Sequence, residues 1–571
     1  MLSRMNTYHI DRENGCQEIE KTLSDLQIME MYVRNILLYT TFNIAMVTIT
    51  AQMCPMTKCS CQQYPPDIRV INCRDKGLKA IPKIDHPTQQ YAYKITFSTN
   101  QNTDSIYCSN CNRIQNVSDN AFKGVRVTSL DLSKNPLKFV SNGAFKGLEN
   151  HLKELLLSGD KISTPPYPAL YNLSALETLE LYDFAQLHIE TQNYFHRFPN
   201  LKKLVLEKMK ISYIEKFSFY NKLLHLKILE LRNNEEMQMI PAAALSDLSS
   251  LEKLLLIKNG IMIVPYAAFR KLFYLQELDL SNNLISKLQP GCFEIIRQSL
   301  QVLKLQLNQL DEEKLHPLTE GYWSLLKTLN LAYNKLKKIP ENLFVNMINL
   351  KYLYLNSNKI TSILKNDFRA LWEMKEIDLS SNNLLYIQGD SFSDLRSLSY
   401  LDLRVQNEWN SYLKLNITRE SVNGLEKQLQ ELLLTQTKVE ENTIWGTIRA
   451  LQHLRVLQLG KTGLTFIKDY VFKYHSKLQY LELSENGISE ITDKNFYGLN
   501  NSLLTLDLSQ NSIRLIDKCV FKDFSLLNQI YLWRNPLHCD CGLKWLHDWI
   551  EEKKQDDPVC YLHSRSDLQH S

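Results

Sequence analysis

The residues with the most chemistry to offer in this 571-residue sequence are its 12 cysteines, and most of them gather towards its two ends. Cys54, Cys59, Cys61 and Cys73 form one group; Cys539, Cys541 and Cys560 form another. Thiols at such spacings either pair as disulfides or hold zinc. No histidine interleaves the first group, so disulfides are expected. Cys108 and Cys111 make a C-x-x-C in an irregular stretch, without the strand–helix–strand context of a redox motif. A local disulfide or a core-facing pair is expected there. Cys292 and Cys519 are expected to be core thiols, each just before a recurring phenylalanine. Four N-glycosylation sequons, at Asn116, Asn172, Asn416 and Asn500, agree with the oxidising compartment that the cysteines imply.

Catalytic patterns are missing. The sequence has no G-x-S-x-G, H-E-x-x-H or P-loop and no G-x-G-x-x-G on a strand–helix turn, and its 13 histidines are scattered. It reads as a non-enzyme without cofactor or metal. Hydrophobic residues make up 44% and charged residues 22%, which excludes a disordered chain. A net charge of +4 over this length implies no nucleic-acid partner.

Stepping along the chain shows what would carry these groups. The pattern L-x-L-x-x-N recurs, as in Leu130-Asp-Leu-Ser-Lys-Asn135, Leu278-Asp-Leu-Ser-Asn-Asn283 and Leu506-Asp-Leu-Ser-Gln-Asn511. Its last position falls in 17 registers from 135 to 535, at steps of 24 to 26 residues and one step of 31. Ile95-Thr-Phe-Ser-Thr-Asn100 offers an earlier copy. Many copies place a phenylalanine ten residues later, as at Phe145, Phe293, Phe392 and Phe521. The two leucines predict the inward face of a short strand, with the residue between them pointing outward. The asparagine, which both donates and accepts, can satisfy backbone groups where the chain turns. One such unit cannot bury its apolar face alone, so neighbours must stack. Phe184 and Met209, and again Gln406, Thr437 and Thr462, replace the asparagine, which predicts two interruptions of the ladder. The long step around Asn407–Gln428 predicts a loop on one face.

This pattern resembles the extracellular leucine-rich repeat family. The resemblance implies an α/β repeat solenoid, a curved horseshoe with a parallel concave sheet and about 17–18 repeats over residues 91–534. Residues 54–90 resemble that family's N-terminal cysteine-rich cap, which implies the pairs Cys54–Cys61 and Cys59–Cys73. Residues 535–571 resemble its C-terminal cap. There Trp545 and Trp549 share a helical face, the usual pairing joins Cys539 to Cys560, and Cys541 awaits a fourth cysteine. The odd count is expected of a sequence that stops short of the natural protein, or of a truncated gene model. Residues 31–51 read as a secretory signal starting at Met31 and ending near Ala51, with residues 1–30 an upstream extension; a type II anchor is the alternative.

Caps, repeat number and the interrupted ladder together resemble Toll-like receptor ectodomains. That resemblance implies a ligand-binding receptor domain, secreted or on the extracellular face of the plasma membrane. It would recognise a protein or microbial ligand and form a homo- or heterodimer. Membrane attachment would come only through a segment beyond Ser571. The alternative is a secreted or cell-surface adhesion, guidance or matrix protein of the same fold. Outward positions of the repeats include Asp131, Ser281, Asp378, Ser484 and Asp507. Leu255, Ile257, Leu307, Tyr333 and Tyr354 differ from these, and are expected to gather into one apolar, aromatic binding patch. Tyr531 and Trp533 are expected to pack on the C-terminal cap.

Overall fold

The computed structural model describes residues 58–64, 68–82, 92–98, 112–184, 198–219 and 223–538, apart from 160, 163, 408, 409, 411 and 518, together with Met56 and Leu546. The described residues fall into two compact units. One runs to Lys359 and takes in 367–374; the other holds 360–366 and the residues from Lys375 onward. Each is a solenoid of stacked coils.

In the first unit, Ser60–Tyr64 pairs antiparallel with Ile68–Asn72, and every later strand joins in parallel. Ala92–Thr96 and Arg126–Leu132 come next, with a register shift between Tyr93 and Lys94. One short strand per repeat then continues to Tyr352–Tyr354. The register sets the first leucine of each repeat beside that of the next: Leu130 on Leu155, Leu155 on Leu179, and so to Leu329 on Leu353. These side chains are almost wholly buried. In the second unit the same column runs from Ile377 on Leu401 to Leu506 on Ile530. All 17 registers read from the sequence carry a strand.

The asparagines close the turns. The Asn283 Nδ2 donates to the carbonyls of Leu256 at 2.7 Å and Leu280 at 2.9 Å. Its Oδ1 accepts from the amides of Asn259 at 2.9 Å and Ile261 at 3.1 Å. With a further bond to the Ser281 carbonyl at 3.1 Å, one side chain thus serves five backbone groups of two consecutive coils. Behind the turns the phenylalanines stack: Phe269 on Phe293 at 6.2 Å and 7°, and Phe344 on Phe368 at 6.2 Å and 14°.

Several expectations need correction. Asn112 serves the strand Ala92–Thr96, bonding the carbonyls of Phe97 and Cys73 and accepting from Leu78. It takes the role expected of Asn100, which lies outside the described residues, so this early turn is closed from farther along the chain. The second ladder interruption is absent chemically. Gln406 donates to Leu379 at 2.8 Å and accepts from Leu384 at 3.1 Å. Thr437 donates to Leu403, and Thr462 to Leu459, both at 2.7 Å. Phe184 and Met209 are true gaps, filled by packing. Phe184 is 1% exposed, and its ring lies where a side chain on Gly159 would stand. The long step is mostly packed: Leu415, Ile417 and Val422 are fully buried, and Tyr412 projects. Cys519 is exposed, because the small buried place before Phe521 belongs to Val520. Cys292 is buried, as a core thiol should be.

Cys59 and Cys73 are joined, with Cα atoms 4.5 Å apart, and Cys61 also forms a disulfide. Cys16, Cys54, Cys108, Cys111, Cys539, Cys541 and Cys560, both cap tryptophans and the signal segment lie outside the described residues.

The ladder geometry makes a measurable claim. Asn283→Ala leaves the Leu256 carbonyl and the Asn259 and Ile261 amides without their side-chain partner, while Leu280 keeps its bond from Asn308, and should destabilise the first unit by about 3 kcal/mol. Urea unfolding, followed against the wild-type transition, checks it.

Candidate functional site

The outward positions of consecutive strands line up as rows on the solvent face of each sheet, so register decides which side chains meet. In the first unit the acids of this face are matched by bases. Lys203 reaches Glu180 at 2.6 Å and Glu230 at 3.8 Å, and Arg232 pairs with Glu230. Lys253 and Lys304 both hold Glu277, at 2.9 and 2.8 Å, and Lys304 also reaches Asp279. Burial works against the Glu277 charge, but the two lysines hold its carboxyl below the usual range. Burial likewise disfavours the Lys304 charge, and Glu277 and Asp279 more than offset it.

The predicted apolar patch is divided by this register. Leu255 sits between Glu230 and Asp279 in its row, and Asp279 is followed by Lys304, Asn330 and then Tyr354. Three polar side chains therefore separate Leu255 from Tyr354. Leu255 and Ile257 share one strand and are half-buried. Tyr352 and Tyr354 share another and are also half-buried. Leu307 and Tyr333 belong together and differ from both. Each precedes a ladder asparagine in a turn of positive φ, 56° and 52°. They stand on consecutive coils and are 45% and 52% exposed. Leu307 donates its amide to Ala332, and Tyr333 to Asn356.

The repeated L-D-L-S segment has a structural use that sequence reading missed. Asp131, Asp279, Asp378 and Asp507 each accept the amide of the serine two residues later, all at 2.9 Å. Ser281 and Ser484, expected to face solvent, are only 5% and 7% exposed beneath such acids.

The strands of the second unit carry Asp378, Asp402, Glu482 and Asp507 among their acids. Asp402 is 1% exposed and held by Arg404 at 2.6 Å. Asp378 is next to it in register; burial and the Asp402 charge push its carboxyl up, against the pull of the Ser380 bonds. Glu482 lies over Gly460 and accepts from Thr435 at 2.9 Å. A side chain on Gly460 would collide with it, so glycine in Leu457-Gln-Leu-Gly460 is the sequence signal for this contact. Burial, with Asp507 and Glu485 nearby, raises the Glu482 carboxyl. Burial and the neighbouring acids push Tyr400 and Tyr480 up to about 12. Tyr531 and Trp533 close the row; Tyr531 is half-buried, and Arg534 lies over the Trp533 ring at 5.2 Å.

Two hollows lie in the first unit. One of about 480 Å³ is bordered by Glu312, His316, Thr319 and Glu341; one of about 230 Å³ is bordered by Tyr266, Arg270 and Cys292. Burial pushes the Cys292 thiol up to about 12, which leaves it unreactive. Among the described residues no group of three or more His, Cys, Asp or Glu could hold a metal ion, and no helix is long and apolar enough to cross a membrane. Asn116, Asn172 and Asn416 are exposed; Asn500 is half-buried, and its sequon's Ser502 is covered.

The "Leucine rich repeat" family models match residues 110–162, 125–183, 199–261, 274–294, 324–384, 452–502 and 476–537, together just over half of the chain. The chain belongs to the leucine-rich repeat family. Leucine-rich repeat-containing protein 3B of Homo sapiens is 38% identical over 89 residues, 16% of this chain and 34% of that protein. The high affinity nerve growth factor receptor of Mus musculus is 26% identical over 138 residues, 24% of this chain and 13% of that receptor. The match thus spans about a third or less of the length of these relatives. Among solved structures, the Toll–Spatzle complex of Drosophila aligns with a TM-score of 0.64 at 18% identity, covering 89% of this chain and 69% of that one. A TLR13–ssRNA13 complex aligns at 0.59 and 20% identity, covering 83% and 68%. The leucine-rich repeat fold of this chain therefore resembles that of Toll-like receptor ectodomains.

A pH dependence follows for the second unit. Because the folded Glu482 value is raised, its favourable contribution is complete at low pH and is lost as pH rises through that value. Glu482→Gln should make the second unit more stable at neutral pH, and the gain should vanish in acid. Thermal unfolding at several pH values reads both.

Proposed function

We propose that this chain is the ligand-binding ectodomain of a Toll-like-receptor-like innate immune receptor, outside the cell, recognising a protein or microbial ligand through its solenoid. Leu307 and Tyr333 carry this reading. A leucine and a tyrosine, each about half exposed, stand at matching turn positions on consecutive coils, held by backbone bonds to the next coil. Neither contributes to the core, and a rigid apolar pair of this kind suits the centre of a protein contact. Tyr352 and Tyr354 add aromatic surface on the sheet face. The Cys59–Cys73 bridge supports an oxidising compartment. The fold likeness to Toll in its complex with Spatzle supports a receptor over a scaffold.

A second reading is a secreted or cell-surface adhesion, guidance or matrix protein, which the same leucine-rich repeat fold would serve. Either role places binding on the solenoid and implies no enzyme activity, cofactor or metal.

Immobilising the full chain and screening secreted proteins and microbial extracts should yield a saturable binder. Tyr333→Ala combined with Leu307→Lys should then weaken that binder by at least about tenfold, as loss of a hot-spot pair does. Unchanged affinity in the double variant would move the contact elsewhere on the solenoid.

A further inference from the structure

Thirteen residues beyond the ladder position, several coils carry buried apolar side chains: Leu148, Leu272, Leu371, Leu395 and Leu499. In one coil of the second unit that place is taken by His475, which is 0% exposed. Its Nε2 lies 3.0 Å from the carbonyl oxygen of Ile448, in the helix Glu441–Ala450. A carbonyl only accepts, so Nε2 carries the proton and donates. That assignment leaves Nδ1 a bare acceptor, and it is buried with no hydrogen-bond partner. The Phe472 ring stands edge-on to the imidazole at 5.5 Å. From the next coil, the Ser502 hydroxyl donates to the His475 carbonyl at 3.4 Å.

Among the described residues, no charged side chain is bonded to the ring. The helix offers Glu441, which is bonded to Thr465, and Arg449, which is exposed. The turn offers Asp469, Lys473 and Lys477, and the next coil Asp493 and Lys494, all exposed. His453, on the turn after the helix, meets the Glu426 carbonyl. What influences the imidazole is burial, followed by the backbone of Ile448, Phe472 and Leu451; burial dominates and holds its pKa below the ordinary histidine value.

We infer that His475 is an acid-sensitive latch: protonation at Nδ1 places a charged N–H without an acceptor in the core and loosens the turn around His475 from the helix Glu441–Ala450. A neutral ring joins helix and turn through its bond to Ile448. A protonated ring must either remain buried with an unsatisfied donor or swing to solvent and break that bond. Because the folded value is depressed, the stabilisation is complete above the ordinary histidine value and is lost as pH falls below it. The latch would make the second unit open locally on acidification, in the range where histidine is the side chain that changes charge.

Hydrogen exchange on the full chain, corrected for intrinsic rates, tests this at neutral pH and at about pH 5. Amides of residues 441–451 and 470–478 should lose protection by about tenfold or more in acid in the wild type. His475→Leu, which supplies the leucine found at this place in several other coils, should keep its protection. His475→Gln supplies a donor for Ile448 without a titrating ring and should behave likewise, which covers the case that leucine does not pack. If the wild type loses no protection there, or either folded variant loses as much as the wild type, His475 is not the latch.

Discussion

A coil buried between two others has a problem that hydrophobicity cannot solve: its turning backbone carries N–H and C=O groups that water does not reach. The asparagine ladder is the answer on which the rest of this molecule depends. A carboxamide offers two donors and an acceptor with two lone pairs, and Asn283 uses both ends to satisfy the coil it belongs to and the one before it. Because those bonds reach into the neighbour, each turn is complete only when the next coil is in place. The leucine columns supply the larger gain through apolar burial, but burial alone would tolerate a shifted register. The ladder does not, since a shift would leave several backbone groups unpaired in each coil.

The exceptions show what the constraint demands. Gln406 is longer than asparagine and Thr437 and Thr462 are shorter, yet each bonds a buried carbonyl at 2.7–2.8 Å. The requirement is therefore a polar atom at the right place, and residue type follows from local spacing. Phe184 and Met209 meet no such requirement and survive by packing. Phe184 needs the missing side chain of Gly159, so two departures from the repeat in adjacent coils compensate each other.

Periodicity made the strands, their register and the inward leucines readable, because a parallel solenoid repeats the same physical problem, here at steps of 24 to 26 residues with one of 31. What it could not show was where a repeat departs from its neighbours in three dimensions. Asn112 was hidden because it closes its turn from 15 residues beyond Phe97, a separation that no motif scan expects. Cys519 was misplaced by one position, which suffices to move a side chain from core to solvent. The apolar patch failed for a different reason. Leu255, Leu307, Tyr333 and Tyr354 lie close in repeat number, but register interposes Asp279, Lys304 and Asn330 on the row between Leu255 and Tyr354. Leu307 and Tyr333 remained together because they occupy the same position in adjacent coils.

That distinction bears on where specificity can arise in such a fold. Acids on the sheet face are not free to vary independently: Asp131, Asp279, Asp378 and Asp507 each hold a backbone amide, and several are tied to bases on neighbouring strands. The side chain of the residue before each ladder position holds no backbone amide in this way. Its backbone is held in a left-handed turn by bonds to the next coil, while its side chain reaches the surface, as at Leu307 and Tyr333 and at Lys258 and Lys461, which pair there with Glu235 and Glu485. Those four include two lysines, a leucine and a tyrosine at equivalent sites. The position is therefore one where the solenoid accepts charge, apolar surface or an aromatic ring at similar structural cost. A ligand-binding solenoid needs such positions, rigid in backbone and unconstrained in side chain, and the ladder that fixes the core is also what supplies them.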